Sequence, residues 1–289
     1  MVFTWFRKLR FKGTQLVLVS LALVSCASTP DQQVETESWQ SFATRGNQEL
    51  TTGNTDAALA LYVKSLNLNP NNAELLNKIG AIHADRRNFN LAEEAYRLAL
   101  KQQPGNAATL TGLGLLLIQQ HRREHALPLL KTALNKDASC WRCANGLALL
   151  YDQQQHYSTA LAYYQQALKI LPNSAQVLTN RGYSHYLAGH WADAERDYRE
   201  ALRLEDNYRP ALQNLALLQT RQGKVQEALT TFQKTTDIAS AYNNIGYIFM
   251  LDGNYGDAEQ YLEQAISLSP VYHTEAFANL TKLHELWRH

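Results

Sequence analysis

The sequence predicts an all-α protein, a solenoid of stacked helical hairpins. Three observations lead there. From residue 39 onward a 34-residue template recurs, the mark of repeated supersecondary units. Each copy holds two amphipathic segments of about a dozen residues at helical spacing, parted by a break such as Gly53, Gly189, Gly223 or Gly253. Pro70, Pro104, Pro172 and Pro270 stand just past the second segment, where proline ends a helix without cost to its interior bonds.

Bulk composition agrees with a folded chain. Of 289 residues, 45% are hydrophobic and 18% charged, which excludes wholesale disorder. A formal net charge of +1 argues against a nucleic-acid binder, whose basic face shows as an excess of Lys and Arg. The three cysteines are Cys26, Cys140 and Cys143.

Residues 1–25 have the order of an export signal. Arg7, Lys8, Arg10 and Lys12 precede a short apolar run from Leu16 to Val24, which ends in small residues. That run falls short of the ~20 apolar residues of a spanning helix. Leu23-Val24-Ser25-Cys26 resembles the lipobox of bacterial lipoproteins. The resemblance implies cleavage before Cys26 and acylation of its thiol; several acyl chains hold a protein stably where one does so only marginally. An ordinary secreted protein with a chance cysteine is the alternative. Ala27 replaces the aspartate that retains enteric-type lipoproteins at the inner membrane, so the resemblance implies the outer membrane, facing the periplasm. Residues 26–38 then read as the lipidated cysteine and a polar tether without apolar period.

The repeats occupy 39–270 as seven units, 39–72, 73–106, 107–140, 141–174, 175–208, 209–238 and 239–272. Their eighth position is always small: Gly46, Gly80, Gly114, Ala148, Gly182, Ala216, Gly246. The twentieth is always alanine, from Ala58 to Ala258. The twenty-fourth is large: Tyr62, Tyr96, Leu130, Tyr164, Tyr198, Phe232, Leu262. The twenty-seventh is small again, from Ser65 through Thr235 to Ala265. Small residues let the two helices of a hairpin approach, and the large one fills the space beside them. No hairpin buries its own apolar face, so stability comes from stacking. The alanine spacing from Ala228 to Ala258 is 30 against 34 elsewhere, which predicts a clipped helix or turn in the sixth unit. Pro128 falls early in a second helix and is expected to bend its start. Ala276, Leu280, Leu283 and Leu286 predict a capping helix within 273–289.

These columns resemble the tetratricopeptide repeat (TPR) across 39–270. The resemblance implies a right-handed superhelix of about seven helix-turn-helix repeats whose first helices line the concave surface. Asparagine at the sixth position of such repeats often bonds the backbone of a bound extended peptide, a task suited to an amide's donor and acceptor. Here Asn180, Asn214, Asn244 and, in the cap, Asn279 hold that position, while earlier units carry Lys78, Gly112 and Gly146. Tyr183, Tyr186, Tyr247 and Met250 are expected on the same face as apolar or stacking contacts. The competing reading is that these asparagines bond within the solenoid. Gly46-Asn47 resembles part of the carboxylate clamp of chaperone-binding TPR domains, but Ala43 and Asn77 stand where its basic partners belong.

Cys140-Trp141-Arg142-Cys143 opens the first helix of the fourth unit. A CxxC at a helix N-terminus lowers a thiol pKa in redox enzymes, but their βαβ setting is absent. In an oxidising periplasm a local disulfide is expected, with free thiols or a redox or metal role as alternatives. His121 and His125 have a metal-compatible spacing but no third ligand, so no metal site is expected. No HExxH, GxSxG, phosphate-cradling loop or triad occurs, which predicts no catalysis, no cofactor and no small-molecule substrate.

The stretch Ala241-Tyr-Asn-Asn-Ile-Gly-Tyr-Ile-Phe-Met-Leu-Asp-Gly-Asn-Tyr, continuing to SLSPVYHTEAFANL, is similar to TadD-type lipoproteins of tight-adherence (Flp pilus) systems. That resemblance implies assembling or localising pilus secretion machinery, with secretin or pilus components as partners. A pilotin for another secretin, an adaptor for peptidoglycan-processing enzymes and a periplasmic thiol oxidoreductase are the rivals.

Overall fold

The protein is described by a computed structural model covering residues 37–269 and 273–288. Apart from Glu37, these belong to one compact unit, Ser38–His289. The expected export signal, Cys26, most of the expected tether and Pro270 lie outside the described residues.

Among the described residues every element is a helix. The seven hairpins are α1 (Trp39–Thr51) with α2 (Thr55–Leu68), α3 (Ala73–Asp85) with α4 (Phe89–Gln102), α5 (Ala107–Gln119) with α6 (Arg123–Lys136), α7 (Trp141–Asp152) with α8 (Tyr157–Ile170), α9 (Ala175–Leu187) with α10 (Trp191–Leu204), α11 (Arg209–Arg221) with α12 (Val225–Phe232), and α13 (Ile238–Leu251) with α14 (Tyr255–Leu268). The cap is α15 (Thr274–Trp287). Each hairpin packs on the next. The first helices also touch one another along the stack, from α3–α5 through to α13–α15, whereas the second helices form no such row. The fold is a TPR-type solenoid.

Local chemistry explains the boundaries. A side chain at the residue before most first helices accepts a backbone N–H three residues on: Ser38 from Ser41, Asn72 from Leu75, Asn106 from Thr109, Ser174 from Val177 and Asp237 from Ser240. The hairpin turn passes through the left-handed region in every unit. Gly53, Gly189, Gly223 and Gly253 take it at φ between 74° and 83°, but Arg87, His121 and Gln155 take it as well, at 59–61°. Side chains there carry a penalty that glycine escapes.

The repeat columns are the core. All seven alanines at the twentieth position are wholly buried. A Cβ on Gly46, Gly80 or Gly182 would stand 2.6–2.8 Å from the ring of Tyr62, Tyr96 or Tyr198, and one on Gly114 or Gly246 would meet Leu130 or Leu262 at 2.7–2.8 Å. The small and large columns are thus two sides of one contact.

The structure locates the clipped helix of the sixth unit, keeps Pro128 inside a continuous helix and adjusts the cap. The deficit in the sixth unit falls in its second helix: α12 has 8 residues where its counterparts have 14. Thr235 therefore sits in the turn after the helix, donating its hydroxyl to Phe232 O at 3.1 Å instead of packing in the core. α6 continues through Pro128 to Lys136. In the cap, Ala276 and Leu283 are buried and Leu280 packs against the Met250–Leu262 cluster, but Leu286 remains 44% exposed.

Candidate functional site along the row of first helices

The sequence-predicted residues lie on α9, α11, α13 and α15, and the structure sorts them into three kinds. Asn180 Nδ2 donates to Asn145 Oδ1 at 3.0 Å, and Asn279 Nδ2 donates to Asn243 Oδ1 at 2.9 Å. Asn145 and Asn243 are the fifth residues of the preceding units and are buried. These two asparagines join neighbouring hairpins, so the intra-solenoid reading holds for them. Asn214 and Asn244 are half-buried, and among the described residues their side chains have no hydrogen-bond partner.

The aromatic and thioether set divides too. Tyr183 and Tyr247 are 40% and 37% exposed, each three residues beyond its sixth-position asparagine, hence on the same helix face. Leu187 and Leu251, four residues further, are exposed as well. Tyr186 and Met250 are not surface contacts: at 6% and 2% exposed they are core. Both are twelfth in their unit, where the next first helix covers them. Tyr186 packs with Leu215 and Leu218 of α11, and Met250 with Leu283 of α15. The Tyr186 hydroxyl also accepts from Arg221, whose guanidinium lies 5.3 Å from the ring centre and forms two bonds to Asp252 at 2.7 and 3.0 Å.

Asn47 is likewise consumed internally. Its Oδ1 accepts from Tyr62 and from Lys78, both at 2.8 Å, so the partial clamp motif is a joint between units one and two. The glycines at later sixth positions have a packing reason: a Cβ on Gly112 would lie 2.7 Å from Tyr96, and one on Gly146 would lie 2.9 Å from Leu115 and 3.0 Å from Leu130. Burial, with Asp85 nearby, pushes the Tyr96 phenol up to about 12.

Cys140 and Cys143 are joined in a disulfide, Cα atoms 5.3 Å apart. Cys140 holds the capping place that Ser or Asn holds elsewhere, its Sγ accepting from Cys143 N at 3.1 Å. Cys143 is wholly buried, with the Thr111 hydroxyl 3.0 Å from its sulfur. A reactive thiolate needs solvent access, which that sulfur lacks.

Sequence reasoning missed a set of charged and polar groups in units four to six. Asp197, 1% exposed, receives two bonds from Arg181 at 2.6 and 2.7 Å. Asp152 accepts from the Tyr164 hydroxyl at 2.8 Å and the Ser184 hydroxyl at 2.6 Å; burial raises its carboxyl pKa and these bonds oppose the rise. Beside Asp197, His185 in α9 meets His190 and Asp193 at the start of α10, with one ligand-type atom from each within 4.8 Å of the others. Burial lowers the His185 pKa, against the pull of Asp197 and Asp193. The signal lay in the spacing His185-x4-His190-x2-Asp193 across the Gly189 turn, which brings the three together only once the hairpin closes.

A stack of antiparallel helix pairs, joined through their first helices and presenting unpaired amides beside exposed tyrosines, defines a helical-repeat solenoid with a binding-type surface. Tetratricopeptide-repeat models match residues 46–86, 73–106, 111–175, 175–208, 211–239 and 239–272, and the chain is a TPR protein. A TPR repeat-containing protein of Methanocaldococcus jannaschii is 32% identical over 71 residues, 25% of this chain and 12% of that protein. The photosystem I assembly protein Ycf3 of Parasynechococcus marenigrum is 31% identical over 105 residues, 32% of this chain and 61% of that protein. The chain thus spans less than two thirds of either relative. Among solved structures, a TPR protein from Parabacteroides merdae superposes with a TM-score of 0.60 at 20% identity, covering 85% of this chain and 98% of that one. MamA from Desulfovibrio magneticus gives 0.50 at 18%, covering 59% and 97%. These two share the fold. Among the described residues no helix is long and apolar enough to cross a membrane.

Proposed function

We propose that this TPR protein is a non-catalytic scaffold that binds an extended protein segment along α9, α11 and α13. One observation carries the reading: among the sixth-position amides of that row, Asn214 and Asn244 are the ones that no neighbouring side chain occupies, and they sit among exposed Tyr183, Leu187, Tyr247 and Leu251. A free amide can bond both the N–H and C=O of an extended backbone, and the tyrosines offer rigid amphipathic surface at low entropic cost. Solenoid rows suit long partners of this kind.

The setting follows from the two sequence resemblances. The lipobox at Cys26 supports a lipid anchor in the outer membrane with the repeats in the periplasm, and the C-terminal similarity to TadD-type lipoproteins supports a part in assembling or localising Flp-pilus secretion machinery. The partner is then a secretin or pilus-assembly component.

The test is an Asn214→Ala, Asn244→Ala double variant in the full chain. It is expected to fold as the parent does and to lose at least ten-fold in affinity for the secretion component; unchanged affinity would remove the row from the binding site. Gene neighbours lacking a secretin, a secretion ATPase and a small pilin would overturn the pilus setting, and capture of peptidoglycan hydrolases in their place would favour the adaptor reading. Cys26→Ser is expected to release the protein from the membrane fraction.

A further inference from the structure

The geometry points to a transition-metal site inside the fifth hairpin, with His185, His190 and Asp193 as ligands to a zinc-class divalent ion. Two imidazoles and one carboxylate form the donor set of borderline ions such as Zn2+ and Co2+; hard ions such as Mg2+ and Ca2+ prefer all-oxygen shells. The three side chains come from both helices and from the turn between them, so an ion held there would tie α9 to α10 across Gly189.

Spacing is close to what coordination requires. The ligand-type atoms lie within 4.8 Å of one another, whereas donors around a tetrahedral zinc at ~2.0–2.2 Å stand roughly 3.3 Å apart. His190 is exposed and Asp193 half-buried, so both can swing inward by the remaining distance while His185 stays in place. Asp193 pairs with Arg196 at 2.7 Å, an exposed pair three residues apart whose loss costs little.

A second observation concerns how His185 is held. Its Nδ1 is buried and has no hydrogen-bond partner, while its Nε2 lies 3.9 Å from Asp197 Oδ2. One ring nitrogen thus faces a carboxylate that can orient it, and the other has an unused lone pair. Metal-binding histidines are held in this way, their second nitrogen directed at a carboxylate. Asp197 is fixed in turn by its two bonds from Arg181. A buried ring nitrogen left unbonded costs free energy unless something meets it. Three protein donors leave a fourth position for water or for a donor from a bound protein.

This inference does not rest on the peptide-binding reading. It is tested with the full, metal-stripped chain titrated with Zn2+ by calorimetry and with Co2+ by visible absorption. One ion per chain is expected, with the d–d bands of a low-symmetry nitrogen–oxygen site. His190→Ala and Asp193→Asn, both at accessible positions, are each expected to weaken binding at least ten-fold with unchanged helical circular dichroism. A His121→Ala, His125→Ala variant is expected to bind as the parent does. Absence of a stoichiometric site, or equal affinity in His190→Ala and the parent, would overturn the assignment, as would loss of binding in the His121, His125 variant alone.

Discussion

The first three units and the last four solve the same stacking problem with different chemistry. At the front, beside the polar joints of Lys78 to Asn47 and Arg122 to Glu93, first helices meet through glycine against a large side chain: Tyr96 fits between Gly80 and Gly112, and Leu130 between Gly114 and Gly146. At the back, from α7 onward, first helices are linked by side-chain bonds, Asn145 to Asn180, Asp152 to Ser184, Tyr186 to Arg221 to Asp252, and Asn243 to Asn279. Apolar packing needs only shape and tolerates small adjustments. A buried polar network is high-stakes, because every group left without its partner is penalised. The repeat columns are shared by both halves, so the difference comes from residues the template leaves free. Where most polar side chains are spent internally, the few that are not stand out. Asn214 and Asn244 are such a pair.

The contrast can be broken first at its most buried point. Arg181→Ala leaves Asp197 without its guanidinium, and urea denaturation is expected to show a loss of about 3–5 kcal/mol. A loss below ~1 kcal/mol would mean that this buried pair within the fifth hairpin contributes little.

Asp152→Ala comes next. It strips the acceptor from the Tyr164 and Ser184 hydroxyls and is expected to cost about 2–3 kcal/mol. The native carboxyl has a raised pKa, so just above the ordinary carboxylate range the folded chain holds more protons than the unfolded one. Its contribution to stability is therefore complete at acid pH below the unfolded value and is lost as pH rises through the native one. Asp152→Asn should abolish that slope, which urea midpoints across an acidic pH series would measure.

The front half is expected to respond more mildly. Gly112→Ala drives a methyl into Tyr96, and the strain of ~1–3 kcal/mol is offset by up to ~1 kcal/mol of better helix propensity, leaving a loss of about 1–2 kcal/mol by thermal unfolding. The smallest effect lies in the turns. Gln155 occupies the left-handed position that glycine occupies in units one, five, six and seven, and Gln155→Gly is expected to stabilise by ~0.5–1 kcal/mol. A loss there would show that Gln155 does more than close its turn.

Much of this was legible before folding. Position eight against position twenty-four, the buried alanines and the short sixth unit were all visible as columns, because a 34-residue repeat writes the same contact seven times. Six of the seven predicted unit starts are the first residues of their helices, and α13 begins one residue early. The binding row was legible only in part. Asn180 and Asn214 share a repeat position, yet one bonds a neighbour and the other does not, and the difference is set by Asn145 in the unit before. Tyr183 and Tyr186 lie three residues apart on one helix, but Leu215 and Leu218 of the next hairpin cover the second. Neither outcome follows from a column, since each depends on which side chain the neighbouring unit presents.

By itself, then, the sequence determined the helical hairpin, its period, its caps and turns and the columns of its core, all local or periodic features set by the backbone and by apolar spacing. Tertiary structure decided which polar groups are consumed and which stay free: it paired Arg181 with Asp197, buried Tyr186 and Met250, and brought His185 to His190 and Asp193. The physical reason is range. Closing a hairpin joins residues five to sixteen positions apart, as for Arg181 with Asp197 and for His185 with His190 and Asp193. Burial of Tyr186 and Met250 depends instead on the adjacent hairpin, whose residues vary where the template is silent.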